Sequence, residues 1–329
     1  MSWAAAQKRL EAARKRDERA SLKRQKELER MLKEQAKLSA QEQARLEVDA
    51  FENSIEVLLS VHRDSRPQFD WIEPLCALPP HIPMDSDMES YEKERAEWEK
   101  MRSLAKRVLA GEEKAYSEAL RELSAFGELS TLGSSIAFRV HHRNLIECEL
   151  KVNGRDAIPA EVKSLTAAGK LSVKAMPKAR YHEAYQDYVC GCVLRVARES
   201  LALLPVDSVI VTALVSTVQA STGTNIDTPV LSVAFPRHSL ARLDFARLDP
   251  SDSMENFIHR GDVLTSRKSG EFVAIVPLKP EDIPRDKPAQ LNLTDVLHRV
   301  REMHAKISTR LTRSVPDSLS TSEAKPPAP

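Results

Sequence analysis

Glycine is scarce in this 329-residue chain, which contains only 9. That share is well under half of the roughly 7% that is usual in globular proteins. The scarcity excludes collagen-like and Gly/Ser-linker chains. It also argues against a nucleotide site in which backbone amides bind the phosphates. The dipeptide Gly169-Lys170 matches two residues of a phosphate loop, but the first glycine and the following Ser/Thr of that loop are missing. No cofactor is therefore expected.

Cysteine and long apolar runs are scarce as well. Four cysteines spread over the chain exclude a disulfide framework. Cys190 and Cys192 lie on a predicted helix, where residues two apart point about 200° from each other, so they are expected to be buried free thiols rather than metal ligands. No run approaches the roughly 18 apolar residues of a membrane span, and no targeting signal is recognised. A cytoplasmic protein without a metal is predicted.

The charges nearly cancel, with 49 basic and 48 acidic side chains, but they are unevenly distributed. The segment up to Lys37 carries 12 basic and 6 acidic residues, and neither Gly nor Pro precedes Pro67. We therefore expect a long charged helix over residues 1–62, running from about Ala4 to His62. It is a candidate coiled coil for a protein partner or for self-association, although its apolar spacing does not hold a heptad over several turns.

The rest of the chain divides into three predicted regions. Residues 63–131 form a connector with five prolines between Pro67 and Pro83, followed by helices to about Ala110 and from about Glu112 to Ala125. Residues 132–312 form an α+β domain, and residues 313–329 a disordered tail.

Within the α+β domain, alternation and β-branched residues predict a hairpin and further strands around a core helix. The fold class is α+β, with a small, mainly antiparallel sheet packed on the core helix. The region from Ile158 to Pro177 is ambiguous between short strands and loop. The predicted strands are Ile136–His142, Leu145–Val152, Val209–Val215, Val230–Phe235 and Phe272–Val276, and the helices are Tyr181–Leu204, a short one starting at Asp249-Pro250, and Thr294–Leu311.

Glu149-Leu-Lys151 on a predicted strand fits one half of a restriction-endonuclease-type site. Such a site needs a Glu-x-Lys and an Asp on adjacent strands, because the carboxylates hold a metal ion and the Lys acts on the attacking water. No Asp lies in the preceding strand, and Glu161-Val-Lys163 is a second Glu-x-Lys nearby. Glu149 and Lys151 are therefore weak catalytic candidates, the alternative being a solvent-facing charge pair.

A basic segment from Val162 to His182 contains five cations and no acidic residue. Such a run can neutralise phosphates and release counterions, so it is a candidate anion or nucleic-acid site. The alternative is a solvated basic loop. Its cations are Lys163, Lys170, Lys174, Lys178 and Arg180.

Four segments, taken together, resemble a family of uncharacterised bacterial proteins. They are Asp187–Glu199, Leu204–Ala213, Leu231–Arg237 and Asp249–Asp252, and the resemblance extends from near Phe51 to about Leu278. It implies a bacterial cytoplasmic setting and a domain of unknown role behind a variable helix. It implies no activity.

The sequence therefore predicts a non-enzymatic cytosolic interaction or scaffold protein. In this hypothesis the N-terminal helix is a tether or oligomerisation arm, and the α+β domain binds a partner. The alternatives are a nucleic-acid-binding protein that uses the basic segment 163–180, and an endonuclease-related enzyme that uses Glu149 and Lys151.

Overall fold

A computed structural model describes residues 40–64, 66–81, 88–124, 126, 135–167, 169–219, 221–262 and 272–283. Helices precede the sheet in these ranges, and a further long helix lies between its strands. The helices are α1 (Ala40–Leu59), α2 (Glu73–Cys76), α3 (Met88–Ala110), α4 (Glu113–Leu123), α5 (Lys178–Leu203) and α6 (Arg237–Leu240). Short 3-10 turns occur at Arg155–Ala157, Asp252–Asn256 and Pro280–Asp282.

The described strands form a five-stranded mixed sheet and a separate two-stranded hairpin. The large sheet has the order β1-β2-β5-β6-β7, in which only the β2–β5 pair is parallel, and the hairpin is β3-β4. The strands are β1 (Ser135–His142), β2 (Leu145–Lys151), β3 (Glu161–Leu165), β4 (Leu171–Ala175), β5 (Ser208–Val218), β6 (Asn225–Pro236) and β7 (Ile258–Arg260).

The two faces of the large sheet differ because side chains alternate along each strand. On β2, Ile146, Cys148 and Leu150 are fully buried, and the Cys148 Sγ lies 3.7 Å from the Ser200 Oγ of α5. This face is therefore the one on which α5 packs. Glu147, Glu149 and Lys151 lie on the opposite face.

Helix α5 is the centre of the domain, and it is buried around most of its circumference from Ala184 onward. It connects the parallel strands β2 and β5, a connection that requires a crossover. Helix α4 packs beside it against β1, where the Phe126 and Phe138 rings are 5.1 Å apart. The Tyr116 hydroxyl of α4 donates a hydrogen bond of 2.9 Å to the Arg143 carbonyl oxygen, which fixes α4 to the β1–β2 turn.

A segment that we call the strap, residues 272–283, covers part of the sheet face opposite α5. Leu278 is buried there against Leu145, Ile210 and Ala234, and its backbone N–H donates to the Ser232 Oγ at 3.0 Å. The Arg260 guanidinium holds the strap as well, since it lies 2.9 Å from the Asp282 carboxylate.

Residues 70–102 belong to a smaller compact unit, distinct from the one that contains the sheet. In this unit Trp98 is buried and its Nε1 donates to the Ala77 carbonyl oxygen at 3.1 Å. The Arg102 guanidinium lies 5.0 Å from the centroid of the Trp98 ring. The prolines between Pro67 and Pro83 therefore do not leave a wholly irregular connector, since α2 forms within it.

The α+β fold and its mainly antiparallel sheet on a core helix are confirmed. The hairpin around Arg143-Asn144 forms as predicted, and the core helix starts at Lys178, three residues before the predicted Tyr181. The ambiguous region before it contains the β3–β4 hairpin. The predictions for residues 4–39, 294–311 and 313–329 lie outside the described residues.

Two strand predictions were wrong in detail. Phe272–Val276 forms no strand, and the strand beside β6 is instead the three-residue β7. Strand β6 begins at Asn225, five residues before the predicted start at Val230, because β5 extends to Val218 and pairs with it. Within the described ranges, no helix combines the length and apolar composition needed to cross a membrane.

Candidate functional site

The five cations of the basic segment are distributed over the β3–β4 hairpin and the first turn of α5. Lys163 lies on β3, Lys170 in the turn, Lys174 on β4, and Lys178 and Arg180 in α5. The turn is a compact one: Gly169 has a φ of +71° and its N–H donates to the Thr166 carbonyl oxygen at 2.9 Å. Gly169-Lys170 is thus part of a hairpin turn.

Lys163 differs from the other four cations because it is held in an ion pair. Its Nζ lies 2.8 Å from the Glu47 Oε2 of α1. Lys170, Lys174, Lys178 and Arg180 are exposed, and no ion pair joins any of them to another residue that the structure describes. Within the described part of the chain, these four positive charges are therefore exposed and unpaired.

The pairing of β3 with β4 divides the hairpin into two unlike faces. Lys174 lies opposite Val162, and Ser164 lies opposite Ser172. Because side chains of directly opposed residues share a face, these four form what we call the lysine–serine face. The other face carries Lys163, Leu165, Leu171 and Val173. The structure thus places Lys163 and Lys174 on opposite sides of the hairpin.

Three tyrosines of α5 fasten the chain that leads into this hairpin. The Tyr181 and Tyr185 hydroxyls donate to the Arg155 and Asn153 carbonyl oxygens at 2.5 and 3.0 Å. The Asn153 Nδ2 donates to the Tyr188 hydroxyl at 3.2 Å. Burial raises the pKa of Tyr185 to about 12, so its hydroxyl stays protonated and can donate. The sequence showed the tyrosine spacing but not the partners.

Glu149 and Lys151 lie on the sheet face opposite α5, at the carboxyl end of β2. Glu149 is exposed and lies beside Ala137 of β1, which carries no Asp. The Lys151 Nζ lies 2.8 Å from the Asp227 carboxylate of β6. Strands β1 and β2 are adjacent, as a nuclease site requires. However, β1 carries no acidic residue to pair with Glu149, and the charge of Lys151 is neutralised by Asp227.

Glu147 forms a second charged group on this face that sequence reasoning missed. Its Oε2 lies 2.7 Å from the His141 Nε2 and 3.6 Å from the Arg139 guanidinium. In the pairing of β1 with β2, Arg139 lies directly opposite Glu147, and this pairing brings their side chains together. Among the described residues, no three His, Cys, Asp or Glu side chains are arranged to hold a metal ion.

Asp187 lies on the other side of the sheet from Glu149. Its Oδ1 accepts a hydrogen bond of 2.6 Å from the Ser251 hydroxyl, and Ser251 also contacts the Asp249 Oδ1 at 2.8 Å. The Asp249 Oδ1 accepts backbone N–H bonds from Ser251 and Asp252 at 3.0 Å each. Glu149 and Asp187 therefore do not share a cleft, and the Asp249 carboxylate holds the backbone that enters the 3-10 turn Asp252–Asn256.

The four cysteines are free thiols. Cys148, Cys190 and Cys192 are fully buried, and burial raises the pKa of Cys148 and of Cys192 to about 12. A thiol with so high a pKa carries almost no nucleophilic thiolate at neutral pH. The prediction of buried free thiols at Cys190 and Cys192 is confirmed.

No protein-family model, no curated protein and no solved structure matches this chain.

Proposed function

We propose that the α+β domain is a binding module and that its partner is a nucleic acid. The observation that carries the proposal is the set of four exposed cations on the hairpin and the adjoining helix start, Lys170, Lys174, Lys178 and Arg180. No acidic residue occurs between Val162 and His182 to neutralise them from within the segment. Their natural counter-charge is a chain of phosphates.

The number of cations sets the expected dependence of binding on salt. Each phosphate contact with duplex DNA releases condensed counterions and contributes a slope of about −0.9 to the plot of log affinity against log salt. Four contacts give a slope of about −3.6, against about −2.8 for a single strand. A slope near these values supports phosphate contacts by the proposed set.

We also propose a role for the region that precedes the α+β domain. Residues 1–62, with their basic excess up to Lys37, act as a tether or self-association arm. The setting is the bacterial cytoplasm, which agrees with four free thiols. Light scattering of the full chain and of a form starting at Ala40, which keeps the whole of α1, tests the arm, because an unchanged number of subunits after truncation contradicts self-association.

The binding test compares two triple variants with the same change in charge. Lys170, Lys174 and Lys178 are each replaced by Glu in the first, and the exposed Lys93, Lys106 and Lys114 in the second. Fluorescence anisotropy with a labelled duplex is expected to show loss of binding only in the first variant. Equal effects of the two variants, or no binding by the unaltered protein, contradict the proposal.

The Glu149 hypothesis is a second candidate, favoured by one observation. The exposed carboxylate of Glu149 lies on a strand next to β1 and on the sheet face that α5 leaves open. A nuclease of the restriction-endonuclease type needs its Glu-x-Lys on a strand that has another strand beside it. Cleavage that needs Mg²⁺ and Glu149 would support it.

A further inference from the structure

The β3–β4 hairpin has the dimensions of an element that enters a nucleic-acid groove. Each strand has five residues, which at about 3.4 Å per residue gives a ribbon about 17 Å long. The major groove of B-DNA, about 12 Å wide and 8.5 Å deep, admits a two-stranded β-ribbon. A single strand offers no such groove.

The two faces of this ribbon differ in chemistry, and only one suits a groove. The lysine–serine face presents hydroxyl groups at Ser164 and Ser172, which can donate to and accept from base edges, and the charge of Lys174. The opposite face presents Leu165 and Val173, which are 42% and 44% exposed. It also carries Lys163, whose charge Glu47 already satisfies.

Lys170 and the start of α5 extend the positive charge beyond this face. Lys170 lies at the tip of the ribbon, and Lys178 follows Lys174 by four residues. Proteins that read a groove take most of their affinity from phosphates at its rims and their specificity from base edges inside it. The ribbon supplies the contacts to base edges, and the flanking cations supply the contacts to phosphates.

We propose that the ligand is a DNA duplex and that the lysine–serine face of the β3–β4 ribbon enters its major groove. This inference rests on the proposed nucleic-acid function and specifies it. It commits the hairpin to one orientation, with Ser164, Ser172 and Lys174 towards the bases and with Leu165 and Val173 away from them.

Neighbouring residues on the ribbon provide matched variants for the test. Ser172→Asp and Val173→Asp add the same charge to adjacent positions of β4, but on opposite faces. Ser164→Asp and Leu165→Asp do the same on β3. Ser164, Leu165 and Val173 are exposed and Ser172 is half-buried, so circular dichroism and thermal unfolding are measured for every variant to show that it is folded.

Binding is measured by fluorescence anisotropy with a labelled duplex of about 20 base pairs, two turns of DNA, and with each of its single strands. We expect the duplex to bind at least about tenfold more tightly than either strand. Ser172→Asp and Ser164→Asp are expected to weaken duplex binding at least about tenfold, and their neighbours less than about threefold.

The outcomes separate the two proposals. Equal binding of duplex and single strands overturns the duplex assignment and leaves the nucleic-acid function intact. Equal losses from Ser172→Asp and Val173→Asp overturn the orientation of the ribbon. If neither DNA form binds in about 50 mM salt, where phosphate contacts are strong, both proposals fail.

Discussion

The Arg198 guanidinium of α5 donates a hydrogen bond to the backbone carbonyl oxygen of His62, in the turn that follows α1. The same guanidinium lies 3.7 Å from the centroid of the Phe245 ring. The His62 side chain is buried against α5 at Gly191, whose lack of a Cβ lets Val61 and His62 approach. This contact fastens α1 to the central helix of the domain.

The imidazole of His62 makes the domain sensitive to acid. Burial, with the nearby Arg63 charge, lowers the pKa of His62 below its ordinary value of 6.5. Within the described residues neither ring nitrogen has a hydrogen-bond partner. Below pH 6.5 the unfolded chain therefore binds a proton that the folded protein resists, and the free energy of unfolding falls as the pH drops towards the lowered pKa.

We expect urea unfolding between pH 7.5 and 5 to show this loss in the unaltered protein and less of it in His62→Gln. A single group can contribute at most about 1.4 kcal/mol per pH unit. His81→Gln, at an exposed position, is the control and should keep the full pH dependence. An identical pH profile for His62→Gln would contradict the role of His62.

The buried ion pair of α5 is expected to be costly to halve. The Arg195 guanidinium lies 3.1 Å from the Glu199 carboxylate, and both side chains are less than a tenth exposed. Glu199→Leu leaves the buried guanidinium without this counter-charge and should destabilise the domain by about 3–5 kcal/mol.

The double variant Arg195→Met, Glu199→Leu supplies the comparison for the ion pair. Because two apolar side chains replace the two charges, its stability should recover most of the loss, as chemical denaturation would show. A double variant that is less stable than Glu199→Leu alone would show that the charges are needed individually.

The strap is expected to depend on Leu278 for its place on the sheet. Leu278→Ala removes a side chain buried against Leu145, Ile210 and Ala234, and should lower the free energy of unfolding by about 2–5 kcal/mol. Val276→Ala shortens a strap residue that is 66% exposed, and should cost less than about 0.5 kcal/mol. Similar losses in the two variants would mean that the strap is not held by its buried leucine.

Glu149 is expected to be dispensable for a binding module. Incubation of the protein with Mg²⁺ and a DNA duplex should give no cleavage, and Glu149→Ala should leave duplex binding unchanged. Glu161→Ala is a matched control, because Glu161 belongs to the second Glu-x-Lys of the chain. Cleavage that disappears in Glu149→Ala but persists in Glu161→Ala would favour the nuclease hypothesis instead.

The sequence predicts the elements whose signals are local. The alternation of β2, the turn at Arg143-Asn144 and the apolar spacing of α5 are all set by neighbouring residues, and all three elements form. The three-residue β7 has too few residues to show alternation. Phe272–Val276 has the composition of a strand, but β7 occupies the edge of β6 at Ser232–Ala234.

The candidate site was predicted in part. The run of positive charge along the chain identifies the basic segment. The exposure of its side chains could also be expected, because charged side chains are rarely buried. Lys163 and Lys174 lie on opposite faces of the hairpin because of the register in which β3 pairs with β4. The ion pair of Lys163 with Glu47 joins residues that are 116 positions apart in the sequence. Sequence patterns of neighbouring residues carry no information on such distant contacts.

The distribution of the cysteines has a consequence for how the domain opens. Cys148, Cys190 and Cys192 lie where strand β2 and helix α5 are covered, whereas Cys76 of the smaller unit is partly exposed. A thiol reagent can modify Cys76 in the native protein, but it reaches the other three only in molecules whose core has separated. The three buried thiols are thus built-in reporters of opening, and the rate at which they react measures how often the core around α5 opens.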